Sequence, residues 1–125
     1  MLKLVDSCGW LEYFADGPNA GFFAPAIEDL PQLLVPSLCL FEVFKRVLVQ
    51  RGEHAALRCI APMRQARVVD LDETLAIASA RLSAELRLAM ADSIILCTAR
   101  QRGAQVLTQD AAFERLPGVR YIAKT

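Results

Sequence analysis

No excess charge of either sign marks this sequence: 14 basic residues balance 14 acidic ones over 125 positions. That balance argues against a whole-molecule electrostatic grip on nucleic acid or an anionic membrane, so any such contact must be local. Histidine occurs once, as His54 beside Glu53 at the start of a helical stretch, which suits a solvent-exposed position better than acid–base catalysis. The cysteines Cys8, Cys39, Cys59 and Cys97 form no CxxC and no Cys/His pair at zinc spacing. Neither a disulfide framework nor a structural zinc is indicated, and they read as small buried hydrophobes in a reducing compartment. Nothing basic adjoins Cys8 to activate its thiolate. No apolar window reaches the length of a membrane span, and no signal-peptide core follows Met1, so the expectation is a soluble cytoplasmic protein without a membrane partner. Lysine is scarce, confined to Lys3, Lys45 and Lys124. The remaining cations are arginines, the side chain suited to bidentate phosphate contacts, although a GC-rich coding sequence would give the same bias.

Apolar residues, in contrast, are plentiful. They make up 54% of the chain, with a mean hydropathy of +0.32. That is more than a small monomer needs to fill its core, and it predicts a partner chain. The length predicts one domain over residues 1–125.

Apolar runs alternate with helical periodicity. Met1 to Val5 predicts a strand that stops at Asp6-Ser7, an N-cap pair for a helix over Cys8 to Phe14. Asp16-Gly17-Pro18-Asn19 is turn chemistry, and Ala20 to Leu30 follows as a helix with a kink or break at Pro25. Leu33 to Pro36 predicts a second strand, with Ser37 capping a helix to Gln50 that Arg51-Gly52 ends. A helix over Glu53 to Ala66, a strand over Arg67 to Leu71 and a helix opened by Asp72-Glu73 come next. Met90 to Arg102 is helical, Ala104 to Thr108 is a strand, Gln109 to Phe113 a loop or turn, and Val119 to Ile122 an edge strand. The order predicts an α/β three-layer sandwich (α/β/α) around a mainly parallel sheet, without repeats or linkers.

Ligands of open parallel sheets bind beyond the carboxyl ends of the strands. Asp6 directly follows the first strand, and Asp110 follows the Ala104–Thr108 strand by two residues, so both project from one sheet edge. Either alone is equally explained as an N-cap or turn aspartate. Asp92 is harder to explain structurally. The helix Met90 to Arg102 is apolar nearly all round, and an ionised carboxylate within it costs several kcal/mol unless a helix N-terminus, a hydrogen bond or a cation compensates; a pure N-cap role is the alternative. Glu42 shares a polar stripe with Lys45 and Arg46, either as ordinary surface charges or at the rim of an acidic pocket with the two cations facing an RNA phosphate. A cluster of carboxylates persists at neutral pH mainly when a hard divalent cation neutralises it, and oxygen-only ligands favour Mg²⁺ or Mn²⁺. Such a cation activates water and stabilises a leaving 3′ oxygen, which is hydrolytic nuclease chemistry. Trp10, Tyr13 and Phe14 on the first helix fit packing better than base stacking.

Four blocks, Val5-Asp6-Ser7, Phe41-Glu42-Val43-Phe44-Lys45, Met90-Ala91-Asp92-Ser93-Ile94-Ile95 and Leu107-Thr108-Gln109-Asp110-Ala111-Ala112-Phe113, resemble in order and spacing the four acidic blocks of PIN-domain VapC toxins. The tail Leu116-Pro117-Gly118-Val119-Arg120-Tyr121 is similar too, so the resemblance covers essentially the whole chain. Leu88-Ala89 departs from it, since many relatives have a more polar or glycine-containing approach to the third acid. The resemblance implies a PIN-like fold and an Mg²⁺- or Mn²⁺-dependent endoribonuclease that cuts cellular RNA, is held inactive by a VapB-like antitoxin and forms a homodimer. It assigns catalysis and metal binding to Asp6, Glu42, Asp92 and Asp110 and a hydroxyl beside the fourth acid to Thr108; Thr108, together with Lys45 and Arg46 of the polar stripe, is expected to contact the substrate. The competing functions are a catalytically inactive PIN-fold module that docks RNA or antitoxin, and a phosphotransferase with Asp6 as nucleophile. The second lacks the Asp-x-Asp pair of haloacid dehalogenases, because position 8 is Cys8, and no Walker loop, GxSxG or GxGxxG offers another route.

Overall fold

Short strands of three to four residues, each with an apolar pair at its centre or end, make the middle of the sheet, and both faces are covered. In the computed structural model, which describes residues 1–125, the strands are β1 (Lys3–Val5), β2 (Leu33–Pro36), β3 (Arg67–Val69), β4 (Gln105–Thr108) and β5 (Val119–Tyr121). Their order in the sheet is β3-β2-β1-β4-β5, and every pairing is parallel. Leu4, Val5, Leu34, Val35, Val106 and Leu107 on the three central strands are fully buried, as expected of a parallel sheet with helices on both faces.

Six helices flank this sheet in an α/β/α sandwich: α1 (Ser7–Phe14), α2 (Ala20–Ile27), α3 (Ser37–Arg51), α4 (Glu53–Met63), α5 (Glu73–Leu86) and α6 (Met90–Arg102). The core takes Trp10 from α1, Phe23 from α2, Val43 from α3, Met63 from α4, and Ile95 and Leu96 from α6, all at most 1% exposed. α1 lies close against the sheet because Gly9 has no side chain: a Cβ there would stand 2.6 Å from the Phe23 ring and 2.7 Å from Val5. Gly52, at φ 89°, turns α3 directly into α4 in a conformation that a side chain disfavours. None of the helices is long and apolar enough to cross a membrane.

The structure shortens several elements. The second helix, expected to reach Leu30, runs through Pro25 without a break and ends at Ile27. Asp29, at φ −102° and ψ 69°, leaves the helical conformation, and Leu30–Gln32 forms a 3-10 turn that includes Pro31. α4 ends at Met63, just after Pro62, and residues 65 and 66 close with three-residue hydrogen bonds to Pro62 and Met63. β1 starts at Lys3 rather than Met1, and β3 stops at Val69 rather than Leu71.

Candidate metal centre

The chain passes from β1 to β2 on one side and returns to β4 on the other, so the strand order switches between β1 and β4. Their carboxyl ends carry the first and last acids. Asp6 follows Val5, its backbone N–H donating to the Leu107 carbonyl at 3.0 Å, and it serves as the N-cap of α1 by accepting the Ser7 N–H at 2.8 Å. Its other oxygen accepts the Thr108 hydroxyl at 2.8 Å and the Cys8 thiol at 3.4 Å. Asp6 is therefore held rigidly at 4% exposure. Burial raises its pKa; the bonds from Thr108, Cys8 and Ser7 oppose this, and the nearby Asp110 adds to it.

Thr108 ties the two strand ends together. While donating to Asp6 it accepts the Asp110 N–H at 2.9 Å. Asp110 in turn accepts the Ala112 N–H at 3.0 Å and starts the 3-10 turn Ala111–Phe113, ordered structure where a loop or turn was expected. The expectation that Thr108 meets substrate is corrected here. Its side chain is fully enclosed, and its hydroxyl is engaged by the two acids, which makes it a positioning residue.

Glu42 reaches the same pocket from the second turn of α3. Half-buried, it accepts the Ser7 hydroxyl at 2.9 Å, so one serine bridges the acid of β1 and the acid of α3. Burial raises the Glu42 pKa, the Ser7 bond lowers it, and the charges of Asp6 and Asp110 raise it further.

Asp92 is the third residue of α6, whose N-cap is Ala89. The alternative of a pure N-cap role is thereby removed. Its side chain hydrogen-bonds that of Asp110, one acid to another, and its other charged neighbours are Asp6 and Glu42. Burial first, then repulsion from Asp110 and Asp6, lifts its pKa from 3.8 to about 7. All four acids expected from the sequence thus meet in one pocket. The two expected cations stay outside it: Lys45 is exposed with its ammonium 5.8 Å from the Phe41 ring centroid, and Arg46 is exposed beside a neighbouring groove.

Two contributors were not singled out from sequence. Ser7 was read only as part of a cap pair, although the distance from Ser7 to Glu42 was not legible without the fold. Cys39 stands three residues before Glu42 on the same face of α3, a spacing that could have drawn attention to it. Potential ligand atoms of Asp6, Cys39 and Glu42 lie within 4.8 Å of one another. Cys39 is fully buried and its pKa is pushed well up, by burial first and then by Asp6 and Glu42. A thiol is a soft ligand, so a hard divalent cation would favour the neighbouring carboxylates over Cys39. Cys8 is pushed to about 12 by burial and the Asp6 charge, which removes it as a nucleophile.

The arrangement suits one kind of guest. Four carboxylates converge with no cationic side chain among the groups that perturb them, and the oxygen donors match a hard divalent cation.

Solved structures share this fold. Over 97% of this chain and 96% of the other, FitAcB from Neisseria gonorrhoeae superposes with a TM-score of 0.78 at 19% identity. A toxin–antitoxin complex from Klebsiella pneumoniae gives 0.77 at 22% identity, covering 94% and 95% of the two chains. VapC20 from Mycobacterium tuberculosis, described as a sarcin–ricin loop cleaving toxin, gives 0.75 at 17% identity over 93% and 95%. Among curated proteins none matches this chain. The family model of the PIN domain, however, matches residues 3–119, nearly the full sequence and all four acids, and the chain belongs to the PIN domain family.

Proposed function

We propose that this protein is an Mg²⁺- or Mn²⁺-dependent endoribonuclease, the toxin of a toxin–antitoxin pair. The observation that carries this reading is Asp92, a half-buried carboxyl that hydrogen-bonds another acid, Asp110, and faces Asp6 and Glu42, with no basic group among its partners. A carboxylate with a purely structural role in that setting would have acquired a basic partner. The chemistry that a divalent cation supplies at such a site is polarisation of a phosphodiester and stabilisation of the leaving 3′ oxygen.

The chain's own residues prepare the pocket. Asp6, Glu42, Asp92 and Asp110 would hold the cation. Thr108 and Ser7 fix Asp6, Asp110 and Glu42 through their hydroxyls, so that little reorganisation is required on binding. Lys45 and Arg46, exposed about one turn beyond Glu42 on α3, are suited to RNA phosphates. The toxin assignment draws on the neighbours described as toxin–antitoxin proteins. A VapB-like antitoxin would block the pocket by lending a basic side chain to the acids. Exposed apolar residues such as Phe41, Leu57 and Ile77, each at least half exposed, support burial against an antitoxin or a second copy.

Incubating the protein with labelled single-stranded RNA, with Mn²⁺ or with EDTA, tests the reading. Cleavage is expected only with metal, and Asp92→Asn is expected to slow it by about two orders of magnitude or more with the fold retained. Cleavage that persists in EDTA, or at the wild-type rate in Asp92→Asn, rejects it; RNA binding without any cleavage favours an inactive PIN-fold module.

A further inference from the structure

Next to the acids lies a groove of about 560 Å³ between α1, α3, α4 and the C-terminal tail. Its charge is the opposite of its neighbour's. Arg46 and Arg51 enter from α3, Arg58 from α4 and Lys124 from the tail, against the single acid Glu12. That acid is partly satisfied, since its carboxylate accepts the Asn19 N–H at 2.7 Å. In a chain with no net charge, such segregation is a local feature.

Two observations join the groove to the acidic pocket and define its shape. Cys8 and Gln109 line it, and Cys8 donates to Asp6 while Gln109 immediately precedes Asp110, so the groove begins where the acids end. Behind its lining, Asn19, a buried amide, donates to the Gln109 side chain at 2.9 Å and to the Ala123 carbonyl at 3.0 Å. That bond holds the tail in place and positions Lys124 at the wall. Arg51 and Arg58 line the same groove from two helices, with Cys59 beside them. Apolar surface from Leu11 and Phe14 completes the groove.

A ligand spanning both regions must present an anion to a metal-loaded acid cluster at one end and further anions to arginines along its length, with flat apolar groups between. A single RNA strand meets all three requirements: phosphates repeat along it, and unstacked bases lie on apolar and aromatic walls. Resting on the nuclease reading, we propose that this groove is the track for the strand flanking the scissile bond, with Arg51 and Arg58 as its paired phosphate anchors. The metal pocket then selects the bond to be cut, and the groove supplies most of the affinity.

The experiment measures binding of a labelled single-stranded RNA on the order of ten nucleotides long by fluorescence anisotropy in Mn²⁺, across a series of NaCl concentrations. Asp92→Asn is the common background that keeps the RNA intact, with or without Arg51→Gln and Arg58→Gln. Both arginines are exposed, so the fold should survive, and circular dichroism checks that it does. Loss of two phosphate contacts should reduce the slope of log K against log salt by about 1.4 and weaken binding roughly tenfold at low salt. With Asp92 restored, the arginine substitutions should raise KM more than they lower kcat. Unchanged affinity and slope overturn the proposal. So does a groove that binds a polyglutamate peptide through these arginines while RNA binding stays intact, which would assign it to an acidic protein segment. Absence of cleavage by the wild type removes the nuclease reading but leaves the salt slope to judge the groove; cleavage that ignores the arginines removes the groove alone.

Discussion

Two of the four acids owe their position to Thr108, a residue that touches neither solvent nor substrate. Its hydroxyl donates to Asp6 at 2.8 Å and accepts the Asp110 N–H at 2.9 Å. Valine fills the same volume and makes neither bond. Thr108→Val would leave a buried Asp6 oxygen with only the Cys8 thiol and strand the Asp110 N–H, costing about 1 to 3 kcal/mol. RNA cleavage should fall sharply, with a weaker apparent affinity for Mn²⁺, and Thr108→Ser should recover most of both. Melting temperature, Mn²⁺ titration and cleavage rate measured on the three proteins check this, and a Thr108→Val protein with wild-type metal affinity would show that Asp6 and Asp110 are placed by other means. At this scale the sequence was partly legible. Asp92 stood out as a carboxylate in an apolar helix and Asp6 and Asp110 as acids at strand ends, each open to a capping explanation, while Glu42 joined them only through the resemblance of its block. Thr108 was assigned to substrate and Ser7 to a cap, because neither sequence position reveals that a hydroxyl lies between two acids 35 or more residues apart.

Among the elements, α1 is the one whose placement decides the pocket, since it starts at Asp6 and carries Ser7 and Cys8. It sits close to the sheet only because residue 9 is glycine. In Gly9→Ala the new Cβ would lie 2.6 Å from Phe23 and 2.7 Å from Val5, both fully buried side chains. The ring and the strand must yield, at a cost of about 1 to 3 kcal/mol, despite alanine's better helix propensity. A lower melting temperature is expected, together with reduced cleavage because Ser7 is displaced from Glu42; an unchanged melting temperature would mean that α1 shifts freely. The elements themselves were largely readable, because continuous apolar runs and helical periodicity are local signals. Met90–Arg102 and Leu33–Pro36 have the expected bounds. The ends were less legible: the second helix stops at Ile27, α4 stops at Met63 with Pro62 inside it, and Pro25 lies within α2 without interrupting it, because tertiary packing outweighs the local preference. The 3-10 turn after Asp110 was not legible as such, since it depends on the Asp110 carboxylate reaching Ala112.

For the molecule as a whole, the four acids make stability depend on both metal and pH, and the sign can be worked out. In the metal-free fold the Asp92 pKa stands at about 7 instead of 3.8, so between these values the folded chain keeps a proton that the unfolded chain releases. Stability therefore falls as pH rises through that window, is highest at its acid end and levels off above about 7. The raised pKa values of Asp6 and Glu42 act in the same direction. A cation reverses the trend, because it binds the deprotonated carboxylates. Mn²⁺ should stabilise little near the acid end and progressively more toward pH 8; at tenfold its Kd the gain is about 1.4 kcal/mol, a melting shift of a few degrees for a domain of this size. Asp92→Asn removes one like charge, so in EDTA at pH 8 it should melt no lower than wild type, its loss of stability with rising pH should be shallower, and its response to Mn²⁺ should shrink. If Asp92 served α6 only as a first-turn anion, neutralising it would instead cost about 0.5 to 1 kcal/mol through the helix dipole, with no metal dependence. Melting curves of both proteins from pH 5 to 8, in EDTA and in Mn²⁺, separate the two. A wild type indifferent to Mn²⁺ together with a destabilised Asp92→Asn would assign the acid cluster to the fold rather than to a cation.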